Sequence, residues 1–216
     1  GAVAAVARRV PRIPWQVVVC AGTVLVLVVC VRPPGSWPPD DWVVVACDVG
    51  QGDGLIVRTG ERSAIVVDTG PDPIGITRCL RDLEVADVPA VILTHFHVDH
   101  VGGLTGVLGA HAVGAVIVSP VRDPIAQAEE VDSECEAAGV PIVPAAVGDD
   151  VDVGDAEWRV IWPARVIRDG SVPNNASVVQ LVDVQGLRVL LTGDVEAAAQ
   201  VAIRDALGDR PIDVVK

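Results

Sequence analysis

The sequence has no tyrosine and no methionine, and its only aromatics are five tryptophans and one phenylalanine. Half of its 216 residues are hydrophobic all the same. A core of useful size must therefore be built mainly from valine, alanine and other small or β-branched side chains, a choice that suits strands. Lysine occurs once, at Lys216, and 29 acidic residues give a net charge of −13. Such a chain lacks the basic footprint of a nucleic-acid binder, and DNA or RNA becomes a substrate only where metal ions or other parts of a larger protein supply positive charge. No Cys-x-x-Cys spacing is present, and the five cysteines (Cys20, Cys30, Cys47, Cys79, Cys135) are odd in number and widely spaced. They offer no readable disulfide framework, so structural thiols are expected for all five. At this length the chain holds one large domain or two small ones.

What is present is concentrated. Three of the four histidines fall in the stretch Thr94-His95-Phe96-His97-Val98-Asp99-His100, with an aspartate among them. The apolar run Val88 to Leu93 leads in, and Val101-Gly102-Gly103 follows. A strand that ends in a polar, glycine-closed loop fixes its side chains at the base and exposes them at the tip. Neutral imidazole and carboxylate are the donors favoured by zinc, manganese and iron, so this stretch is read as a metal site.

The first 31 residues have a different character. Trp15 to Val31 carries no charge, Arg8, Arg9 and Arg12 precede it, and Arg32 follows. As a helix it spans about 26 Å, close to the minimum for a bilayer core. A membrane helix is expected, with the N-terminus cytoplasmic and the rest of the chain outside, because the arginines bias the N-terminal side. No small-residue cleavage site follows, which argues against a signal peptide. The chain starts at Gly1 without a methionine, and the expected context is the end of a membrane region within a longer protein. Arg32 to Asp41 holds four prolines and reads as an extended linker, so the domain proper is expected over residues 42–216.

Within that domain the pattern alternates strands and helices. Strands are predicted at Trp42–Cys47, Leu55–Arg58, Ala64–Val67, Val88–Leu93, Ala115–Val118, Pro141–Val143, Glu157–Trp162, Ser177–Val184 and Leu187–Leu191, with a further one starting at Asp213. Helices are predicted at Ile74–Leu83, Gly102–Gly109, Pro124–Ala138 and Val195–Leu207, the last closed by Gly208. Several strands end in aspartate: Asp48, Asp68 and Asp194. In mixed α/β sheets such residues gather on one edge, where a carboxylate can bridge metals or fix the tautomer of a ligating imidazole. Each is equally open to reading as a cap or turn residue.

The run His95-x-His97-x-Asp99-His100 resembles the signature of the metallo-β-lactamase superfamily, with Asp68-Thr69-Gly70 upstream and Thr192-Gly193-Asp194 downstream. Asp48-Val49-Gly50-Gln51-Gly52-Asp53, Asn174-Asn175-Ala176-Ser177 and Leu190 to Glu196 narrow the likeness. Together they resemble the C-terminal domain of ComEC-type DNA-uptake channel proteins, with a membrane region just before it. The resemblance implies an α/β fold, an αββα sandwich incomplete at its C-terminus, carrying two divalent metal ions, zinc or manganese. It implies that His95 and His97 bind the first ion, Asp99 and His100 the second, that Asp194 bridges them, and that Asp68 supports from behind. Asp99 doubles as the group that orients the attacking water. Asp48, Asp53, Asn174, Asn175 and Ser177 stand at the edge of the site. The implied activity is a nuclease that degrades the single DNA strand not taken up, at the outer side of the cell membrane and joined to other parts of the channel.

Two departures from the family pattern matter. His111 does not match the superfamily's mid-chain histidine, whose place is taken by Asn174 to Ser177, and this favours a more oxygen-rich shell in which manganese is as suitable as zinc. The late histidine is expected directly after Asp213-Val214-Val215-Lys216, in a Pro-His-His-Gly-like segment. A lactonase or thioesterase on the same fold, or a non-catalytic interaction module of the channel, are the alternatives.

Overall fold

Strand β3 (Ala64–Val67) is apolar at every position and buried at every position, as expected of a strand covered on both faces. It pairs antiparallel with β2 (Leu55–Arg58) and parallel with β4 (Asp87–Leu93). The computed structural model describes residues 37–216; the expected membrane helix over residues 15–31 and the start of the proline linker lie outside them. Among the described residues no helix is long and apolar enough to cross a membrane. Residues Asp40–Lys216 form one compact unit.

Two sheets make up this unit. The first runs β1 (Val44–Ala46), β2, β3, β4, β5 (Ala112–Val118), β6 (Ile142–Pro144). The second runs β11 (Val214–Val215), β10 (Leu187–Leu191), β9 (Val179–Val184), β8 (Ala156–Trp162), β7 (Asp150–Val153). Helices are α1 (Pro73–Asp82), α2 (Val98–Val101), α3 (Leu104–Ala110), α4 (Ile125–Ala138), α5 (Val172–Asn175) and α6 (Ala197–Leu207). α1 starts where Pro73 follows Asp72, whose carboxylate accepts a 2.8 Å hydrogen bond from the Ile74 amide, a cap that satisfies one orphan donor.

Three apolar layers separate four layers of structure. Ile76, Leu80, Leu104, Val107, Ala128 and Val131 of α1, α3 and α4 pack on the outer face of the first sheet against Ile56, Val66 and Val91. Between the sheets, Val57, Ile65, Val67 and Ile92 meet Trp158, Val178, Val182 and Leu191. Ala199 and Ile203 of α6 cover Ile161, Val179 and Leu190 on the far side of the second sheet. The expected two-sheet sandwich with helices on both outer faces is what these layers form. Each fully buried Val, Ile or Leu contributes about 1.5–3 kcal/mol of transfer free energy.

The predicted strands and the four longer helices are present, three strands with the predicted bounds and the rest with ends shifted by at most three residues. Strand β7 (Asp150–Val153) and the short helices α2 and α5 were not predicted. β7 is largely exposed and alternates aspartate with valine, a weak signal for a strand that exists because β8 pairs with it antiparallel.

The expectation of five structural thiols is corrected at two positions. Cys47, just past β1, and Cys79, on α1, form a disulfide with their Cα atoms 5.8 Å apart at a sequence separation of 32. Packing of α1 over the first sheet brings together two cysteines whose spacing alone gives no hint of pairing. Cys135 is a free, buried thiol as expected, and Cys20 and Cys30 lie outside the described residues. A bridge closing a loop of this length stabilises by about 2–4 kcal/mol. Urea unfolding with and without reductant is expected to show a loss of that size, and Cys47→Ser/Cys79→Ser is expected to reproduce it and to abolish the reductant effect.

Candidate metal centre

The strand ends meet at one edge. The Val178 amide, just before β9, donates to the Thr94 carbonyl, just after β4, at 2.8 Å, so the two sheets are stitched together there. Nearby, the Ser119 hydroxyl donates to the Ala176 carbonyl at 2.8 Å. Around this seam three loops interlock through the backbone: Thr69 N–H to the His100 carbonyl at 2.7 Å, Gly70 N–H to the Asp53 carbonyl at 2.7 Å, and Gly103 N–H to the Gly70 carbonyl at 3.0 Å. Gly52 has a positive φ of 70°, and a Cβ there would land on the Asp99 carbonyl oxygen, so only glycine lets this loop lie against α2.

Asp68 holds the centre of the cluster. It is buried and sits at φ 58°, a left-handed conformation uncommon outside glycine and concentrated at functional sites. Its Oδ1 accepts from the Thr94 amide at 2.7 Å, and its Oδ2 accepts from the Thr94 hydroxyl at 2.8 Å and faces His100 Nδ1 at 2.9 Å. Burial pushes this carboxyl above its ordinary pKa, against the pull of His100 and Thr94.

These bonds assign the tautomer of one imidazole and the orientation of a second. A carboxylate only accepts, so the Thr94 hydroxyl gives its proton to Asp68 and can only accept from His95 Nδ1, 3.1 Å away. The Ser177 hydroxyl lies 3.3 Å from the same nitrogen. His95 therefore turns Nε2 toward the other histidines, and His97 Nδ1 stands 3.0 Å from it. Burial, and then the charges of His100 and His97, lower the His95 pKa to about 3, so the ring is neutral and able to donate a lone pair.

His100 holds Nδ1 against Asp68 and directs Nε2 into the cluster. The Asp194 carboxylate stands 3.3 Å from that nitrogen as an ion pair. Asp194 is the charge partner of that nitrogen, and buried Nε2 has no geometric hydrogen-bond partner. Burial alone would lower the pKa of His100, but its contacts with Asp194 and Asp68 more than reverse this and raise it to about 10. The negative field that holds a proton there is the field a divalent cation meets, and a cation bound to Nε2 replaces that proton. Nε2 of His100, the neutral ring of His95 and the half-exposed carboxylate of Asp194 bring their donor atoms within 4.8 Å of one another. This set suits a divalent ion in both chemistry and spacing.

The remaining expected residues divide. Ser177 is buried in the site, where its oxygen also accepts from the Asp194 amide at 3.2 Å. Asp99 is half-buried on α2, with Gln51 Nε2 3.5 Å from its carboxylate. Asp53 lies 3.9 Å from His100 Nδ1 and pairs with Lys216. Asp48 turns to solvent and pairs with Arg78 at 3.8 Å. Asn174 and Asn175 engage Glu196 instead of the histidines: Asn175 Nδ2 is 3.4 Å from Glu196 Oε2, and its Oδ1 accepts from the Glu196 amide at 3.1 Å. Asn174 Nδ2 lies 3.5 Å from Glu196 Oε1. Three residues of the site had no assigned role in the sequence reading: Thr94, Glu196 and Lys216. For Thr94 the signal was its place next to His95 at a strand end; for Glu196 and Lys216 nothing local marks the long-range partner.

Residues 47–213 match the metallo-beta-lactamase superfamily, and the chain belongs to it. Members of this superfamily are generally metal-dependent hydrolases and bind metal ions, often zinc. The chain is 26% identical over 190 residues to ComE operon protein 3 of Bacillus subtilis, covering 78% of this chain and 24% of that protein. It is 30% identical over 180 residues to protein YcaI of Escherichia coli, covering 76% and 21%. The chain thus spans under a quarter of the length of either relative. A metallo-beta-lactamase from Cronobacter sakazakii shares the fold at TM-score 0.56 and 16% identity, covering 83% of this chain and 78% of that one.

The His100 pair makes a pH prediction. A folded pKa of about 10 against an unfolded 6.5 means its contribution is complete below pH 6.5 and is lost as pH rises through about 10. In the metal-free protein, His100→Gln is expected to cost about 3–5 kcal/mol at pH 6, as breaking a buried ion pair does. The gap between parent and variant should narrow by pH 10, and urea titrations at pH 6, 8 and 10 check this.

Proposed function

We propose that this domain is a metal-dependent phosphodiesterase that cuts the non-transported single strand during DNA uptake. The observation that carries the hydrolytic part is buried His100 Nε2, without a hydrogen-bond partner, aimed with neutral His95 at the Asp194 carboxylate. The DNA part is supported by the likeness to ComE operon protein 3 and by the ComEC-type motifs. On this reading His95, His97, Asp99, His100 and Asp194 would hold two divalent ions between them; zinc and manganese both suit the donors. The ions supply Lewis acidity at phosphorus and lower the pKa of the attacking water.

The chain's own residues do the rest. Asp68 holds His100, and Thr94 with Ser177 holds His95, so neither ring can rotate off target. Asp99 takes the proton of the attacking water as the water's oxygen bonds to phosphorus; the bond from phosphorus to the sugar oxygen breaks, and Asp99, directly or through solvent, passes the proton to that leaving oxygen. Cations held there would also offset the acidic surface toward phosphate.

Placement on the outer side of the membrane, behind a helix over residues 15–31, is part of the same proposal. The Cys47–Cys79 disulfide supports it, because such bridges persist in oxidising compartments and are rare in the cytosol. The net charge of −13 favours a second reading, a lactonase or thioesterase on the same fold.

In the full-length protein with zinc or manganese, Asp99→Ala is expected to lower the rate of single-stranded DNA cleavage about 10²-fold or more, with folding intact by circular dichroism. Asp194→Ala is expected to lose bound metal by elemental analysis. Unchanged DNA cleavage in Asp99→Ala sinks the nuclease reading, and hydrolysis of an ester in its place selects the second.

A further inference from the structure

The two sheets part at the flank opposite β1 and β11. Between β4–β6 of one sheet and β7–β9 of the other lies a cleft of about 540 Å³, walled by Ile92, Ala115, Ile117, Val143, Val151 and Val160. Val143 and Val151 are exposed apolar side chains at its mouth. Its wall also includes Trp158 and Gln180, and these two carry buried side-chain atoms with no partner: the Trp158 indole N–H and the Gln180 Oε1.

The orientation of the glutamine is determined. Gln180 Nε2 donates to the Val178 carbonyl at 2.9 Å, so its oxygen is the free end. Trp158 pairs with Val182, and Gln180 pairs with Val160; Trp158 and Gln180 are diagonal neighbours on the inner face of the sheet. One wall of the cleft thus carries a donor on one residue and an acceptor on its diagonal neighbour, both shut off from solvent and both a standing cost to the fold while unpaired. A single hydroxyl answers both, accepting from the indole N–H and donating to the amide oxygen. The charge at the mouth narrows the choice. Asp149 and Asp150 line it, and Arg159 neutralises only Asp150, which disfavours an anion.

We propose that this cleft is a binding site for a neutral, apolar small molecule carrying a hydroxyl group. The apolar body fills the space between the sheets, and the hydroxyl bridges Trp158 and Gln180 after a small parting of the side chains that close over them. The site is separate from the histidine cluster and holds whatever reaction that cluster performs. Its inner wall includes Val178, the residue after Ser177, so an occupant sits directly behind the seam that joins the sheets.

The test uses the indole N–H signal of Trp158 in the ¹⁵N-labelled full chain, assigned with Trp158→Phe. Three matched probes are titrated: 1-naphthol, naphthalene and 1-naphthoate. 1-Naphthol is expected to give a saturable shift of this signal. Naphthalene should need about tenfold more for half saturation, and 1-naphthoate should leave the signal unmoved. Gln180→Leu is expected to erase the preference for 1-naphthol over naphthalene. Ala115→Trp and the exposed-site Val143→Trp are each expected to block the response by filling the cleft. A Trp158 signal that stays still up to the solubility limit of 1-naphthol overturns the proposal. So does equal binding of 1-naphthol and naphthalene, or a response that survives both filling substitutions in variants with unchanged melting temperature.

Discussion

The structure of this site depends on one buried carboxylate. Asp68 sits at a strand end in a left-handed conformation and accepts the Thr94 amide and hydroxyl while facing His100 Nδ1. An ionised carboxylate can accept several bonds but donate none. From that asymmetry the proton position on His95 and the orientation of His100 follow, and with them the direction in which each ring turns its other nitrogen. The strain at Asp68 is tolerated because β3 and β4, both buried and paired in parallel, determine where the two ends of the bond must lie.

The same carboxylate explains why the two imidazoles behave oppositely. His95 faces two hydroxyls and two other histidines, so burial wins and the ring is neutral. His100 is pressed between Asp68 and Asp194, so charge attraction wins over burial. Two histidines five residues apart thus sit at opposite ends of the imidazole range, separated by what each ring's second nitrogen touches. One arrangement keeps a ready donor, and the other concentrates negative potential where a cation would enter.

Around this centre the frame is held by backbone and side-chain hydrogen bonds. Three loops interlock through main-chain bonds, and Glu196 ties Asn174, Asn175 and the Ser171 amide into the turn that delivers Ser177. Gly193, at φ 54°, brings β10's end so close to Ser177 and Thr94 that a Cβ would stand 2.9 Å from both hydroxyls. Supporting residues thus reach the site from both sheets, and the Thr94–Val178 bond makes the two sheets act as one frame at this edge.

Much of this was legible in the chain itself. The histidine run, the glycine after it, and apolar strands ending in Asp68 and Asp194 are local patterns, and local patterns determine strand ends, turns and donor chemistry. The resemblance to the superfamily rests on them, and the two sheets were what that resemblance implied. β7 escaped notice because an exposed Asp-Val alternation is held as a strand only by its neighbour. The Cys47–Cys79 bridge, the pairing of Asn174 and Asn175 with Glu196, and the turning of Asp48 to solvent were likewise decided by packing. The residue types at 47 and 79 permit a bridge, but only α1 lying over the first sheet brings their Cα atoms within 5.8 Å. Sequence by itself determined which chemistry is available, because that depends on residue type and near neighbours. Tertiary structure alone decided which groups meet, because hydrogen bonds and charges act over a few ångströms and partners such as Asn175 with Glu196 and Asp53 with Lys216 lie 21 and 163 residues apart in the chain.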